Sequence, residues 1–202
     1  MAFDSPAALD YSVRERAGTV ADREFDYDLL VKPVEGRMMR AVWRIVRHRE
    51  AAEDALQDAL AVVWKKRDAV ARHPRPEALI MRIAVSAAID VLRKDRRRLR
   101  HEAPGLADDR TGDTGPTTAQ EVEARDLRSA VLEAVGRLPR RQATAVLLHV
   151  IEEQPYADVA RAMGCSEATV RVHIMRGRAA LARRLARRSP GLFGGDGKER
   201  GS

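Results

Sequence analysis

The feature that most constrains this chain is a three-residue break, Gly164-Cys165-Ser166, between two segments of helical periodicity. Before it, Tyr156, Val159, Ala160 and Met163 recur at threes and fours, which places them on one helix face. After it, Val170, Ile174, Gly177, Leu181 and Leu185 repeat the pattern. Pro155 suits a first helical residue, where its missing N–H costs nothing. Gly164 suits the left-handed position that ends a helix, and Ser166 suits the N-cap of the next. Two helices joined by so short a turn form a helix-turn-helix. In that motif the N-terminal half of the second helix enters the DNA major groove.

Thr169, Arg171, His173 and Arg176 carry donors for base edges or phosphates. Arg178, Arg183, Arg184, Arg187 and Arg188 extend the positive charge down the same helix. An ordinary helical hairpin with a solvated basic face has the same spacing. The density of arginine, with almost no acids from Val170 to Arg188, favours DNA.

The whole chain of 202 residues has a net charge of +7, which favours a polyanionic partner. A basic ribosomal or membrane-surface protein would share that sign. Aromatic residues make up only 4%, so the cores must be built from Ala, Leu, Val and Ile. That composition fits small helical bundles better than sheets and predicts an all-α fold. The single cysteine, Cys165, excludes an intramolecular disulfide. The opening MAFDSPAALD is unlike a signal peptide, and no apolar run reaches membrane-spanning length. A soluble, cytoplasmic protein without membrane insertion is expected.

Residues 1–23 have no sustained period and read as a flexible arm. Phe25, Leu29 and Leu30 suggest a short helix before Pro33, and Val34 to Arg47 a longer one. From Arg49, the residues Ala52, Ala55, Leu56, Ala59, Leu60 and Val63 share a buried face. Glu53, Asp54, Gln57 and Asp58 fall on a neighbouring face. Such a stripe is most often simply solvated, and acids early in a helix complement its dipole. In a basic chain it is also a docking surface for a basic partner. Two prolines break the pattern at Arg72-His73-Pro74-Arg75-Pro76. A helix from Glu77 to about Leu99 follows, with Leu79, Ile80, Ile83, Ala87 and Val91 apolar at helical spacing. Ser86, Asp90, Arg93, Arg97 and Arg100 trace its polar stripe, which turns strongly basic, as for a helix lying on phosphates.

Residues 100–118 are rich in Gly, Pro, Asp and Thr and read as a flexible linker, too long for a connection within one compact domain. The chain therefore divides into two helical domains, 24–99 and 119–188. Helical pattern resumes at Ala119 and again from Arg140 to about Val150. The glycine-rich tail, 189–202, is expected to be disordered.

Three blocks together resemble a bacterial RNA polymerase sigma factor of the extracytoplasmic-function class, group IV of the sigma-70 family. AEDALQDALAVVW (Ala52–Trp64) is similar to the family's polymerase-binding helix, AED-x-x-Q-x-x-F-x-x-x-W. IMRIAVSAAIDVLRKDRRR (Ile80–Arg98) is similar to its promoter-reading helix, and the segment from Arg137 to Leu181 to its second DNA-binding domain. The resemblance covers nearly everything except the arm, linker and tail. It implies a region 2-like bundle and a region 4-like helix-turn-helix domain. It also implies a factor that binds core RNA polymerase, directs it to promoters for initiation, and assists strand opening.

Carried over by position, the resemblance gives Glu53, Asp54, Gln57 and Asp58 to core polymerase. It gives Arg72, His73, Arg75, Ser86, Asp90, Arg93 and Arg97 to the −10 element, with the Arg72–Pro76 loop holding a flipped base of the melted strand. It gives Ser166, Glu167, Thr169, Arg171, His173 and Arg176 to the −35 duplex. An anti-sigma factor is a further partner of this class. Seven positions, at five places in the chain, depart from the family pattern. Ser86 replaces the usual Asn, Leu79 a common Trp, and Ala143 an Arg; Gln154-Pro155 replaces Leu-Ser, and Val172-His173 replaces Ser-Arg. A lost base or phosphate contact costs about 1–3 kcal/mol, so these changes bear on promoter sequence more than on function.

Two other readings compete. The five histidines have no metal-ligand spacing, and there is no glycine-rich phosphate loop or nucleophile elbow. Cys165 reads as a packing residue. No enzyme, catalytic residue, metal site or cofactor is therefore expected. A stand-alone operator-binding regulator would need a dimer interface or ligand pocket in the first domain. The acidic stripe of one helix and the basic end of another point instead to two different partners for that domain.

Overall fold

The computed structural model describes residues 24–101 and 118–188. The expected arm (1–23), the tail (189–202) and all but the edges of the expected linker lie outside the described residues. Helices and the turns between them account for the described chain, with no strand among the described residues. Helix α1 (Tyr27–Leu30) is capped by Asp26, whose carboxylate accepts the Leu29 N–H at 3.1 Å. Helix α2 (Lys32–Val46) carries Pro33 in its first turn and ends at Arg47, which is left-handed at φ 59°. Helix α3 (Arg49–Lys65) is followed by a separate short α4 (Arg67–Ala71). The backbone leaves helical geometry at Lys66, a break that the apolar period does not announce.

Helix α5 (Pro76–His101) is the longest helix among the described residues. Its N-terminal half is apolar on nearly every side: Leu79, Ile80, Met81, Ile83, Ala84, Val85, Ala88 and Ile89 are all buried. A helix that is apolar all round must be covered all round. Helix α5 packs on α2 and α3 of the first bundle and also on helices of the second. Met38, Val42 and Ile45 of α2 and Ala52, Ala55, Ala59 and Val63 of α3 complete the first core.

The second bundle opens with α6 (Ala119–Gly136), held by a capping box in which Thr118 and Glu121 satisfy each other's backbone N–H. Helix α7 (Arg140–Val146) then widens into a π-helical turn, Leu147–Ile151, rather than continuing as α-helix to Val150. Glu153 is left-handed at φ 52° just after it, and Gln154 N–H returns to the Leu148 carbonyl at 3.0 Å. Helices α8 (Tyr156–Met163) and α9 (Glu167–Arg188) form the helix-turn-helix. Gly164 takes the expected left-handed conformation, φ 63°. Ser166 caps α9 by accepting the Thr169 N–H at 3.2 Å. Pro155 corrects an expectation. It precedes α8 as the extended N-cap, with φ −58° and ψ 148°, instead of opening the helix. Helix α9 crosses α7 at Gly177, where an added Cβ would lie 2.7 Å from Val146 Cγ2.

Candidate nucleic-acid interface

The N-terminal half of α9 is fixed by a stack of three side chains. His149, in the π-helical turn, donates from Nδ1 to the Gln154 carbonyl at 2.8 Å. Its ring lies against Tyr156, centroid to centroid 4.0 Å. The Arg171 guanidinium lies over the Tyr156 ring at 4.1 Å and stands 3.7 Å from Glu167. These contacts tie the start of α8 to the N-terminal half of α9.

Ser166, Glu167, Arg171 and Arg176 are exposed, and Thr169 is half-buried with its hydroxyl 2.9 Å from Ser166 Oγ. His173 is different from what the sequence suggested. It turns inward, and both ring nitrogens are buried without a hydrogen-bond partner among the described residues. Burial lowers its pKa below the ordinary histidine value, and Arg141 and Arg176 push it further down. The residues presented outward in its place are Val172 and Met175.

The acidic face of α3 stands as expected. Asp54, Gln57 and Asp58 are exposed, and Glu53 is half-buried and paired with Arg49 at 2.9 Å. Trp64, 59% exposed, continues this side of the helix. Phe25 meets its edge at 5.9 Å and Arg67 lies 5.6 Å from its ring centre.

Of the residues expected at the −10 element, Ser86, Asp90, Arg93 and Arg97 follow one another at helical spacing along α5 and Arg72, His73 and Arg75 precede it; His73, Arg75, Asp90 and Arg93 contact the second bundle. Arg75 pairs with Asp158 at 2.6 Å. His73 Nε2 lies 3.1 Å from the Arg161 carbonyl. Asp90 pairs with Arg140 at 2.6 Å, and Arg93 donates to the Leu138 carbonyl at 2.6 Å. Arg96 reaches the Gly136 carbonyl at 3.3 Å. Ser86 is half-buried, while Arg72 and Arg97 are exposed. Arg97 lines a cleft with Arg93, Arg137 and Arg140 between the bundles. Arg82, also on α5, is half-buried beside Arg140, and burial followed by that neighbour lowers its pKa.

Sequence reasoning missed the partners in this interface: Asp158, Arg140, and the Arg44–Glu152 pair at 3.2 Å. Asp158 reads as a dipole-compensating acid in the first turn of α8, and nothing local distinguishes it from that. Among the described residues no helix is long and apolar enough to cross a membrane.

Comparison with known proteins agrees with this layout. Residues 30–98 match the Sigma-70 region 2 family and residues 128–181 the Sigma-70, region 4 family. The ECF RNA polymerase sigma factor SigM of Mycobacterium tuberculosis is 31% identical over 176 residues, covering 87% of this chain and 85% of SigM. The ECF RNA polymerase sigma-E factor of Haemophilus influenzae is 25% identical over 165 residues, covering 79% of this chain and 87% of that protein. In fold, the chain is similar to the sigma factor RpoE of Bartonella quintana, solved in complex with the anti-sigma factor NepR. The TM-score is 0.50 at 20% identity, over 80% of this chain and 98% of that one. The acidic face on α3, the basic stripe of α5 and the helix-turn-helix of α8 and α9 thus lie within the two matched regions, and the chain belongs to the extracytoplasmic-function class of the sigma-70 family, the promoter-specific initiation factors of bacterial RNA polymerase.

Proposed function

We propose that the three charged surfaces divide the work of initiation. Glu53, Asp54, Gln57 and Asp58 dock on core polymerase. Arg72, His73, Arg75, Ser86, Asp90, Arg93 and Arg97 engage the −10 element and its melted strand. Ser166, Glu167, Thr169, Arg171 and Arg176 engage the −35 duplex. His173, assigned to the −35 set by position, would have to turn outward to join them. The working units are residues 24–99 and 119–188, joined by 100–118. The protein acts in the cytoplasm, without chemistry or a cofactor of its own, and an anti-sigma factor is proposed as its regulator by likeness to the RpoE complex.

One observation carries this assignment. Asp54 and Asp58 lie exposed on α3 with no ion pair among the described residues, in a chain of net charge +7 full of arginines. An acidic face left open in such a chain suits a basic protein surface and repels DNA.

The −10 assignment has a geometric consequence. His73, Arg75, Asp90 and Arg93 are engaged by the second bundle, so they must release it before they can reach DNA. The promoter-bound form is therefore more open than the form described here.

The test is capture on core bacterial RNA polymerase followed by run-off transcription on host genomic fragments. Stoichiometric capture with discrete new transcripts is expected. The Asp54→Arg, Asp58→Arg variant should lose capture while keeping its helical content. Unchanged capture of that variant overturns the docking assignment.

A further inference from the structure

The outward face of α9 is basic at its edges and apolar along its middle. Residues separated by three or four positions share a helix face. Ala168, Val172, Met175 and Ala179 form such a row, and all four are exposed. Arg171 and Arg178 flank the row on one side, and Arg176 and Arg183 on the other. Val172 is 39% exposed and Met175 62%.

We infer that Val172 and Met175 determine upstream-element specificity by packing on thymine methyl groups, while the flanking arginines hold the two phosphate strands. The inference rests on the reading of α9 as the −35 recognition helix. A helix seated in the major groove turns its midline to the base edges and its flanks to the backbones. On the midline of α9 there is no strong hydrogen-bonding side chain. The one apolar group on a major-groove base edge is the C5 methyl of thymine.

Other polar side chains do not occupy this row: the His173 ring nitrogens are buried, the Thr169 hydroxyl lies beside Ser166 Oγ, and Arg171 stands at the flank. Packing within the protein does not account for the exposure of Met175. The double border of arginine argues for a polyanionic occupant over an apolar protein groove.

Holoenzyme assembled from the full chain and core bacterial RNA polymerase would first select sites from a randomised duplex library. Each thymine of the selected upstream element is then replaced by deoxyuridine, which removes the methyl and leaves every hydrogen-bonding group. Wild-type holoenzyme should lose about fourfold in affinity per contacted methyl. The Val172→Ala, Met175→Ala variant should bind thymine and deoxyuridine sites alike. Both residues are exposed, so the fold is not at issue. Arg176→Ala should weaken both sites equally and flatten the salt dependence. Selective binding that ignores the methyls overturns the inference. So does a double variant that loses polymerase binding instead of thymine discrimination. Absence of any selective duplex binding overturns the −35 reading beneath it.

Discussion

Arg75 and Asp158 stand 83 residues apart in the chain and 2.6 Å apart in space. Arg75 lies in the proline-broken loop before α5, and Asp158 in the first turn of α8. Asp158 also accepts from Arg161 at 3.2 Å, and its side chain is only 12% exposed. One carboxylate thus joins the two bundles and balances two guanidinium groups.

Replacing Asp158 by Ala removes the carboxylate that both Arg75 and Arg161 reach. Arg75 is half solvated, which reduces the effect relative to a fully buried pair, to about 1–2 kcal/mol. The contact between bundles should loosen while helical content stays constant. Small-angle scattering should then report a larger radius of gyration, and a fluorophore pair across the interface a lower transfer efficiency. An unchanged radius and efficiency would show that the bundles are held by other contacts.

Gly177 lets α9 pass directly over α7. An added methyl would stand 2.7 Å from Val146 Cγ2, well inside contact distance, and Val146 is itself buried. Gly177→Ala should therefore destabilise the second bundle by about 1–3 kcal/mol, despite the higher helix propensity of Ala. Adding Val146→Ala should recover part of that loss. Urea unfolding of the two variants and the pair measures the coupling, and simple additivity would refute the clash.

His173 predicts a pH dependence of stability. Its folded pKa lies below the unfolded value near 6.5, because burial and then Arg141 and Arg176 oppose the imidazolium. The folded state therefore binds fewer protons than the unfolded state in the window just below pH ~6.5. Stability is fully present above that value and declines as pH falls toward the folded pKa. Unfolding midpoints at about pH 7.5 and 5.5 should differ, and His173→Leu should reduce the difference. An identical slope in the variant would place the titrating group elsewhere.

Much of this molecule can be read from periodicity. The faces of α2, α3, α8 and α9 follow from apolar spacing, and Gly164 and Ser166 mark the turn because each meets a specific backbone demand. The π-helical turn at Leu147–Ile151 had no such marker, since the apolar residues of the segment continue at spacings that suit an α-helix as well. Pro155 fits two adjacent positions, N-cap and first turn, because its fixed φ serves both. His173 lies at the border between the inner and outer faces of α9, where one-dimensional spacing leaves its direction open. The pairings of α5 with α7 and α8 were beyond reach for another reason. Each arginine in so basic a chain has many acids to choose from, and only the packing of α5 on both bundles selects one.

The charged seam between the bundles sets two responses to ionic strength against each other. Arg75–Asp158, Asp90–Arg140 and Arg44–Glu152 are all accessible to counterions to some degree, so added salt weakens the seam. Added salt also weakens the grip of arginines on DNA. A DNA-binding chain whose reading surface is already free declines steadily as salt rises. Under the proposed −10 assignment, salt that loosens the seam also frees part of the DNA-facing side of α5, so the salt dependence of promoter binding should be shallower than the phosphate contacts alone would give.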